Sequence, residues 1–497
     1  MLTSNEIRVQ YSGFVIFAAK ILSVGTGLIF QLMIARAITP IEYGLWFNIN
    51  DVLGYFTVLA GTIPFWAMRF VARGREGAAV TGAVANLTIS VISTIIYIPL
   101  IPVITSALGV GQSYLPLYML ISVQIIELYI LNAFESCLRA IRPQTLGYGL
   151  LMVETSKVVL GYALIIALKQ SLRGAIISLT VALAVQTLYY FWLLSKELSQ
   201  KVKWSYVKEW IKGSLANLYN AVGNQIAAFI FLMLFTFGGE AARGNYGAAA
   251  QIANIITYSS FLAFALYPKL LAEKSSRDIT VSLKTVLMFA VPMTAGALAL
   301  PDSYLTILKS VYRDAWPILV VLALDALVAT VSTLFSFVLY GLEDIDEKAK
   351  IPLRQLVKSR LFIAFSLPYF HSAITIPTAY YVLTNHAAGQ PLLSALSVAI
   401  INSAARFIMF IILYIMVRRM VNIEIPWKNI AKYLFASVFM ASILYMLPHP
   451  TRLLLTLALT AVGGILYLTV LVAVDEEARA LVKSIWNEIS LKFREGF

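Results

Sequence analysis

Charge is scarce in this sequence. Asp, Glu, Lys and Arg together make up 13% of its 497 residues, about half the share of a soluble chain. An ordinary water-soluble globule of this length is thereby excluded. Cysteine is scarcer still. Cys137 stands alone, so an internal disulfide and a cysteine-rich metal site are both excluded. The three histidines (His371, His386, His449) are scattered and form no HExxH pattern. No GxxxxGK[ST] loop occurs, so ATP hydrolysis by this chain is not expected. Neither a catalytic site, a metal site nor a cofactor is anticipated. Two motifs look chemical and have simpler readings. "EDIDEKAK" (343–350) holds an acidic-x-acidic triplet, Asp344 and Asp346, but it lies among basic residues and reads as a solvated charge run. "NLT" (86–88) fits a glycosylation sequon yet falls inside an apolar helix.

What fills the space is apolar. Hydrophobic residues reach 60% and the mean hydropathy is +0.81. A membrane-crossing helix needs about 20 mostly apolar residues. Fourteen such runs occur, near 11–35, 44–68, 78–107, 114–138, 145–168, 174–195, 214–236, 247–268, 281–300, 316–341, 359–384, 391–417, 431–447 and 451–474. The first is too long for a cleavable leader and lacks a small-residue cleavage site, so it reads as a true span. Pro64, Pro268, Pro301 and Pro448 mark helix ends, while Pro292, Pro368 and Pro377 fall inside helices and should kink them. The expected fold is all-α and polytopic, in the cell membrane.

The basic residues fix an orientation. With the N-terminus placed in the cytoplasm, 28 of the 38 Lys and Arg fall in inside segments, seven in outside segments, and Lys20, Lys157 and Arg406 within spans. That bias is the positive-inside rule, and one helix too many would destroy it. Both termini are then cytoplasmic. The net charge of +13 reflects orientation and attraction to anionic lipids, and calls for no nucleic acid. Two inside segments read as interfacial. "KVKWSYVKEWIK" (201–212) interleaves Trp204 and Trp210 with lysines. The tail places Leu481, Val482, Ile485, Ile489 and Phe493 on one helical face.

The chain also repeats itself. Tyr43-Gly44 of "ARAITPIEYGLW" aligns with Tyr246-Gly247 of "GNYGAAAQIAN" at an offset of 203 residues. Ile49 then meets Ile252, Asp51 meets Asn254, and Pro64 falls one residue from the counterpart of Pro268. Six spans separate the copies, so the halves run parallel. The expected organisation is a six-helix lobe (1–200), an interfacial linker (201–213), a second six-helix lobe (214–417), two added helices (418–474) and an amphipathic tail (475–497). Parallel repeats of this kind are a transporter signature, with substrate held between the halves.

The stretch "QLMIARAITPIEYGLW" after the first span resembles the N-terminal signature of the polysaccharide flippase branch of the multidrug/oligosaccharidyl-lipid/polysaccharide exporter superfamily. "LRAIRPQ" (138–144) is similar to another segment of that family. The resemblance covers the topology of the whole chain and sequence motifs in its N-terminal half. It implies a flippase for a polyprenyl-(pyro)phosphate-linked oligosaccharide, working by alternating access as a monomer, since one chain contains both halves. Pro40 and Gly44 read as punctuation of a tight turn, and Glu42 as a cap of the following helix.

Charged groups within spans are expensive and face a cavity or a partner. Eight qualify: Lys20, Asp51, Glu127, Glu135, Glu154, Lys157, Asp325 and Arg406. Glu135 precedes Arg139 by four residues and reads as a structural pair. Glu154 and Lys157, three apart, neutralise each other or form a proton-sensitive switch. Lys20 and Arg406 have no partner on their own helices and are the candidates to hold a pyrophosphate or acidic sugar. Lys157 joins them as a candidate cavity cation. Asp51 and Glu127 are placed to pair with these cations when the site is empty, or to bind a coupling H⁺ or Na⁺. Asp325 reads either way. "NLYNAVGNQ" (217–225) puts Asn217, Asn220 and Asn224 on one stripe, which fits a sugar-binding wall or hydrogen bonding between helices.

Three other readings remain on the page. A cation or drug antiporter of the same superfamily would want an acidic residue in the first span, where Lys20 stands. A peptidoglycan-precursor flippase is a nearer relative. A membrane glycosyltransferase or polymerase would need a large outside loop, and the longest here runs only over 301–315.

Overall fold

The structure is a computed structural model, and it describes residues 19, 22–23, 25–263, 276–342 and 359–480. Lys20, most of the first expected span, the end of the 247–268 span, the 343–350 charge run and the amphipathic face at 481–493 lie outside the described residues. Everything described is helix, turn or coil. Among the described residues ten helices are long and apolar enough to cross a membrane, and an eleventh span is formed if one bent pair counts as a single crossing. The chain is thus a multi-pass membrane protein by helix length and composition.

The described residues form two compact units. Unit 1 takes in the chain up to Gly244 together with 365–394, and unit 2 takes in 245–342, 359–364 and 395–480. The stretch 214–417, expected to form a second lobe, is therefore shared between them. Its first two helices belong to unit 1.

In unit 1, residues 25–37 form α1, followed by α2 (Pro40–Thr57), α3 (Thr62–Ala72), α4 (Ala78–Ala107), α5 (Ser122–Ile141), α6 (Gln144–Gly161) and α7 (Ser171–Leu193). Then come α8 (Trp204–Gly213), α9 (Leu215–Ala227), α10 (Phe229–Gly238) and α11 (Glu240–Thr257), which runs on into unit 2.

The turn at 35–44 explains its own composition. Thr39 is the N-cap of α2: its hydroxyl accepts from the Glu42 amide at 3.2 Å, while Glu42 Oε2 accepts from the Thr39 amide at 2.9 Å. This reciprocal box satisfies two amide groups that have no partner within the helix. Pro40 supplies the first helical residue, where a missing N–H costs nothing. Glu42 thus completes the cap that Thr39 makes.

The span expected at 44–68 is two helices bent by 59°. The break falls at 58–61. Pro64 does not end a helix there; it sits in the first turn of α3, where no intrahelical donor is lost. The second copy loses its α-helical geometry a few residues earlier in the repeat. α11 ends at Thr257 and tightens into a 3₁₀ turn over Tyr258–Ala263.

α8 treats the two expected anchors differently. Trp204 is exposed, as a head-group anchor would be, but Trp210 is fully buried against Ile63, Ala67 and Phe70 of α3. Its ring lies 5.5 Å from Phe70 and 6.0 Å from Tyr206. Tyr206 and Trp210 are one turn apart, so a single face of α8 turns inward while Lys208 is exposed.

Unit 2 continues with α12 (Ser276–Ala299), α13 (Pro301–Leu308) and α14 (Trp316–Leu342). α15 (Arg360–Asn385) lies mostly in unit 1. α16 (Pro391–Arg418), α17 (Trp427–Met446) and α18 (Leu453–Val474) complete unit 2. Pro292, Pro368 and Pro377 do fall inside helices, and so do Pro99 and Pro102 of α4. Pro301 opens α13 instead of closing α12.

Candidate functional site

α2 presents Phe47, Asp51 and Tyr55 at successive turns, and therefore on one face. The first turn of α11 is laid across α2 at two glycines. A methyl group on Gly44 would overlap the Glu240 carbonyl oxygen, and one on Gly244 would lie 2.5 Å from the Pro40 carbonyl oxygen. Only glycine at both positions lets the two backbones touch.

That crossing delivers Arg243 to Asp51. Nε donates to Oδ2 at 2.7 Å and Nη2 donates to Oδ1 at 2.9 Å, a two-point fork. The guanidinium lies between the rings of Phe47 and Phe231, at 4.8 and 4.9 Å from their centroids. Arg243 is 6% exposed. Asp51 therefore does not wait for Lys20 or Arg406. Its partner comes from a connection that charge counting alone sorts to the outside. The missed signal was a lone arginine just before the repeated Tyr246-Gly247, an exception to the positive-inside pattern.

Beside this clamp, α2, α4, α10 and α15 enclose a cavity of about 820 Å³. Val52, Phe56, Ile104, Met233, Phe237 and Pro377 typify its wall. Only Tyr55, Thr236 and Tyr380 among its lining residues carry polar side-chain atoms. None of the nine described site residues expected from sequence lines it. The wall is held by polar ties at its back. Tyr118 donates to Asn48 Oδ1 at 2.5 Å, and Tyr97 donates to the Tyr118 carbonyl at 2.6 Å.

The asparagine stripe lies on α9. Asn224 Nδ2 donates to the Asn220 carbonyl at 2.9 Å and to its side-chain oxygen at 3.2 Å. Asn224 is exposed, and Asn217 and Asn220 are half-buried. The opposite side of α9 is fastened to α15. Tyr219 stacks on Tyr369 with centroids 4.5 Å apart, Tyr369 donates to the Tyr219 carbonyl at 2.7 Å, and the Tyr219 and Ser366 hydroxyls lie 3.0 Å apart.

On α6, Lys157 Nζ meets Glu154 Oε1 at 2.6 Å, and the Thr26 hydroxyl of α1 donates to Glu154 Oε2 at 2.5 Å. Lys157 also lies 5.8 Å from the Phe30 ring centroid. The pair is closed upon itself. Glu135 Oε1 accepts from Gln186 Nε2 of α7 at 3.3 Å. Glu127 is buried in α5, and its Oε2 has no hydrogen-bond partner among the described residues. In unit 2, Arg406 of α16 meets Asp325 of α14, Nη1 to Oδ2, at 2.8 Å. Arg406 thus has a partner, contributed by a different helix. Among the described residues no three His, Cys, Asp or Glu converge as metal ligands would.

No model of a known protein family matches the sequence, and no curated protein matches it. Solved structures do match. Lipid II flippase MurJ in an inward closed conformation aligns with a TM-score of 0.66 at 14% identity, over 94% of this chain and 100% of that one. An inward-facing multidrug-resistance MATE transporter of the MOP superfamily gives 0.61 at 15% identity, over 80% and 95%. A MOP superfamily transporter from Pyrococcus furiosus, described as having a binding pocket of reverse polarity, gives 0.50 at 15% identity, over 83% and 95%. The chain has the fold shared by these MOP-superfamily transporters.

Proposed function

We propose that the protein is a MOP-type transporter that moves a polyprenyl-(pyro)phosphate-linked oligosaccharide across the cell membrane by alternating access. The observation that carries this reading is the cavity of about 820 Å³ in unit 1, whose wall is apolar apart from three side chains. A drug cation would want an acidic wall, whereas an isoprenoid chain needs an apolar one. The glycan and phosphate need polar groups beyond that wall. Asn217, Asn220 and Asn224 are suited to the sugar, and Lys20 and Arg406 to the anionic head, Arg406 through guanidinium donors that Asp325 leaves available. The likeness to a lipid II flippase supports a lipid-linked substrate, and the likeness to MATE transporters keeps a drug antiporter as the rival.

The test is translocation in liposomes. A fluorescent polyprenyl-pyrophosphate oligosaccharide is followed by a membrane-impermeant quencher, with wild type set beside Leu232→Trp, which fills the cavity, Lys20→Ala and Arg406→Ala. Flipping by wild type that Leu232→Trp abolishes with folding intact is the expected result. Flipping that survives the two cation substitutions discards those residues as the head-group site. No flipping, together with uptake of organic cations under a proton gradient, transfers the protein to the antiporter reading.

A further inference from the structure

Unit 2 holds a second cavity, of about 800 Å³, that no part of the transport reading uses. α12 faces it with Arg277, Thr280, Val281, Lys284, Thr285 and Met288. Their spacing of three, four, seven, eight and eleven residues is one face of a helix. A face this polar is not built to lie on acyl chains or to pack against another span. It belongs to the end of α12 whose basic residues charge sorting places on the cytoplasmic side.

The far wall is rigidly braced. Asp475, 1% exposed, accepts from the Glu477 amide at 3.0 Å and from Asn429 Nδ2 at 3.2 Å, with Lys432 Nζ at 3.6 Å. Glu477 in turn accepts from Lys284 Nζ at 2.8 and 2.9 Å and from Asn429 at 3.4 Å. This network ties α12 to α17 and commits Lys284. Two lining charges are left over. Arg277 and Glu424 have no ion-pair partner within 4.0 Å among the described residues, and they do not pair with each other. An uncommitted cation and an uncommitted carboxylate thus share one pocket. Val281, 52% exposed, and Phe289, 42% exposed, continue from it along the outer side of α12.

We infer that this cavity binds the head group of an aminophospholipid, with its phosphate on Arg277, its primary ammonium on Glu424, and an acyl chain running along Val281 and Phe289. A pocket of several hundred Å³ is the size that small ligands occupy. The charge pattern selects the lipid. An anionic head without an amine leaves Glu424 beside a phosphate, which is repulsive. A choline head satisfies the charge but has no N–H to donate to the carboxylate.

The site is independent of the transported substrate, so its test is binding. Full-length protein is delipidated and then exposed to an equimolar mixture of ethanolamine, choline and glycerol phospholipids with identical acyl chains. Retained lipid is counted by native mass spectrometry. The ethanolamine lipid is expected to be retained about tenfold over the choline lipid, the ratio that one charge-assisted hydrogen bond supplies. Glu424→Gln should erase that discrimination while retaining phospholipid, and Arg277→Gln should lower retention of all three. Both side chains are exposed, so folding should survive; helical content and size-exclusion profile check it. Equal retention of the three lipids by wild type, preference for the glycerol lipid, or discrimination unchanged in Glu424→Gln would each overturn the assignment. Failure of the flipping assay would leave it untouched.

Discussion

Among the described residues, two arginine–aspartate pairs join helices more than 80 residues apart in sequence, one in each unit, and they are built differently. In unit 1, Arg243 and Asp51 are both enclosed, with side chains 7% and 15% exposed, and both carboxylate oxygens are engaged. In unit 2, Arg406 touches Asp325 through one nitrogen and is 38% exposed, while Asp325 is 7% exposed. The first pair has its cation buried between two rings and no room to exchange partners. The second has a buried anion and a cation with donors to spare. The same two residue types therefore make a lock in one place and an accessible charge in the other. Burial of the arginine decides which.

The sharpest way to break the comparison is to orphan a buried charge. Asp51→Ala leaves Arg243 enclosed without its anion and should cost about 3–5 kcal/mol. Thermal unfolding in detergent, followed by intrinsic fluorescence, should show the largest drop of any variant named here, and a midpoint equal to wild type would refute the lock. Gly44→Ala attacks the same contact from the backbone by pushing the Glu240 carbonyl away. Overpacking of this kind costs about 1–3 kcal/mol, and the measurement is again the unfolding midpoint.

In unit 2 the order of sensitivity should reverse. Arg406→Ala strands the buried Asp325 and should destabilise by about 1–3 kcal/mol. Asp325→Ala frees a half-solvated arginine and should cost no more than about 1 kcal/mol. Equal losses from the two substitutions would show that Arg406 is as enclosed as Arg243. An effect of similar, small size should come from Tyr219→Phe. It removes the contact with Ser366 but keeps the ring stack, and about 0.5–1.5 kcal/mol is at stake.

Much of the fold was legible from local patterns. The spans over 78–107, 391–417 and 451–474 are almost residue for residue the helices observed, because a bilayer-length apolar run has few other ways to satisfy its backbone. The bend at 58–61 was missed, since the stretch stays apolar throughout and Pro64 was read as a helix end. Trp210 was misplaced for a related reason: an aromatic among lysines suits a head-group belt, and only the neighbouring α3 shows that its face turns inward.

By itself the sequence determined an all-helical, multi-pass chain with a repeated Tyr-Gly turn and a handful of charges too costly to leave alone. These follow from composition and from periods of a few residues, which act locally. Which charge meets which was decided by tertiary structure. Arg243 and Asp51 are 192 residues apart and meet because two glycines let their helices touch. The apolar cavity has the same origin. Its lining comes from four helices spread over Val52 to Tyr380, and no window of sequence contains the space between them.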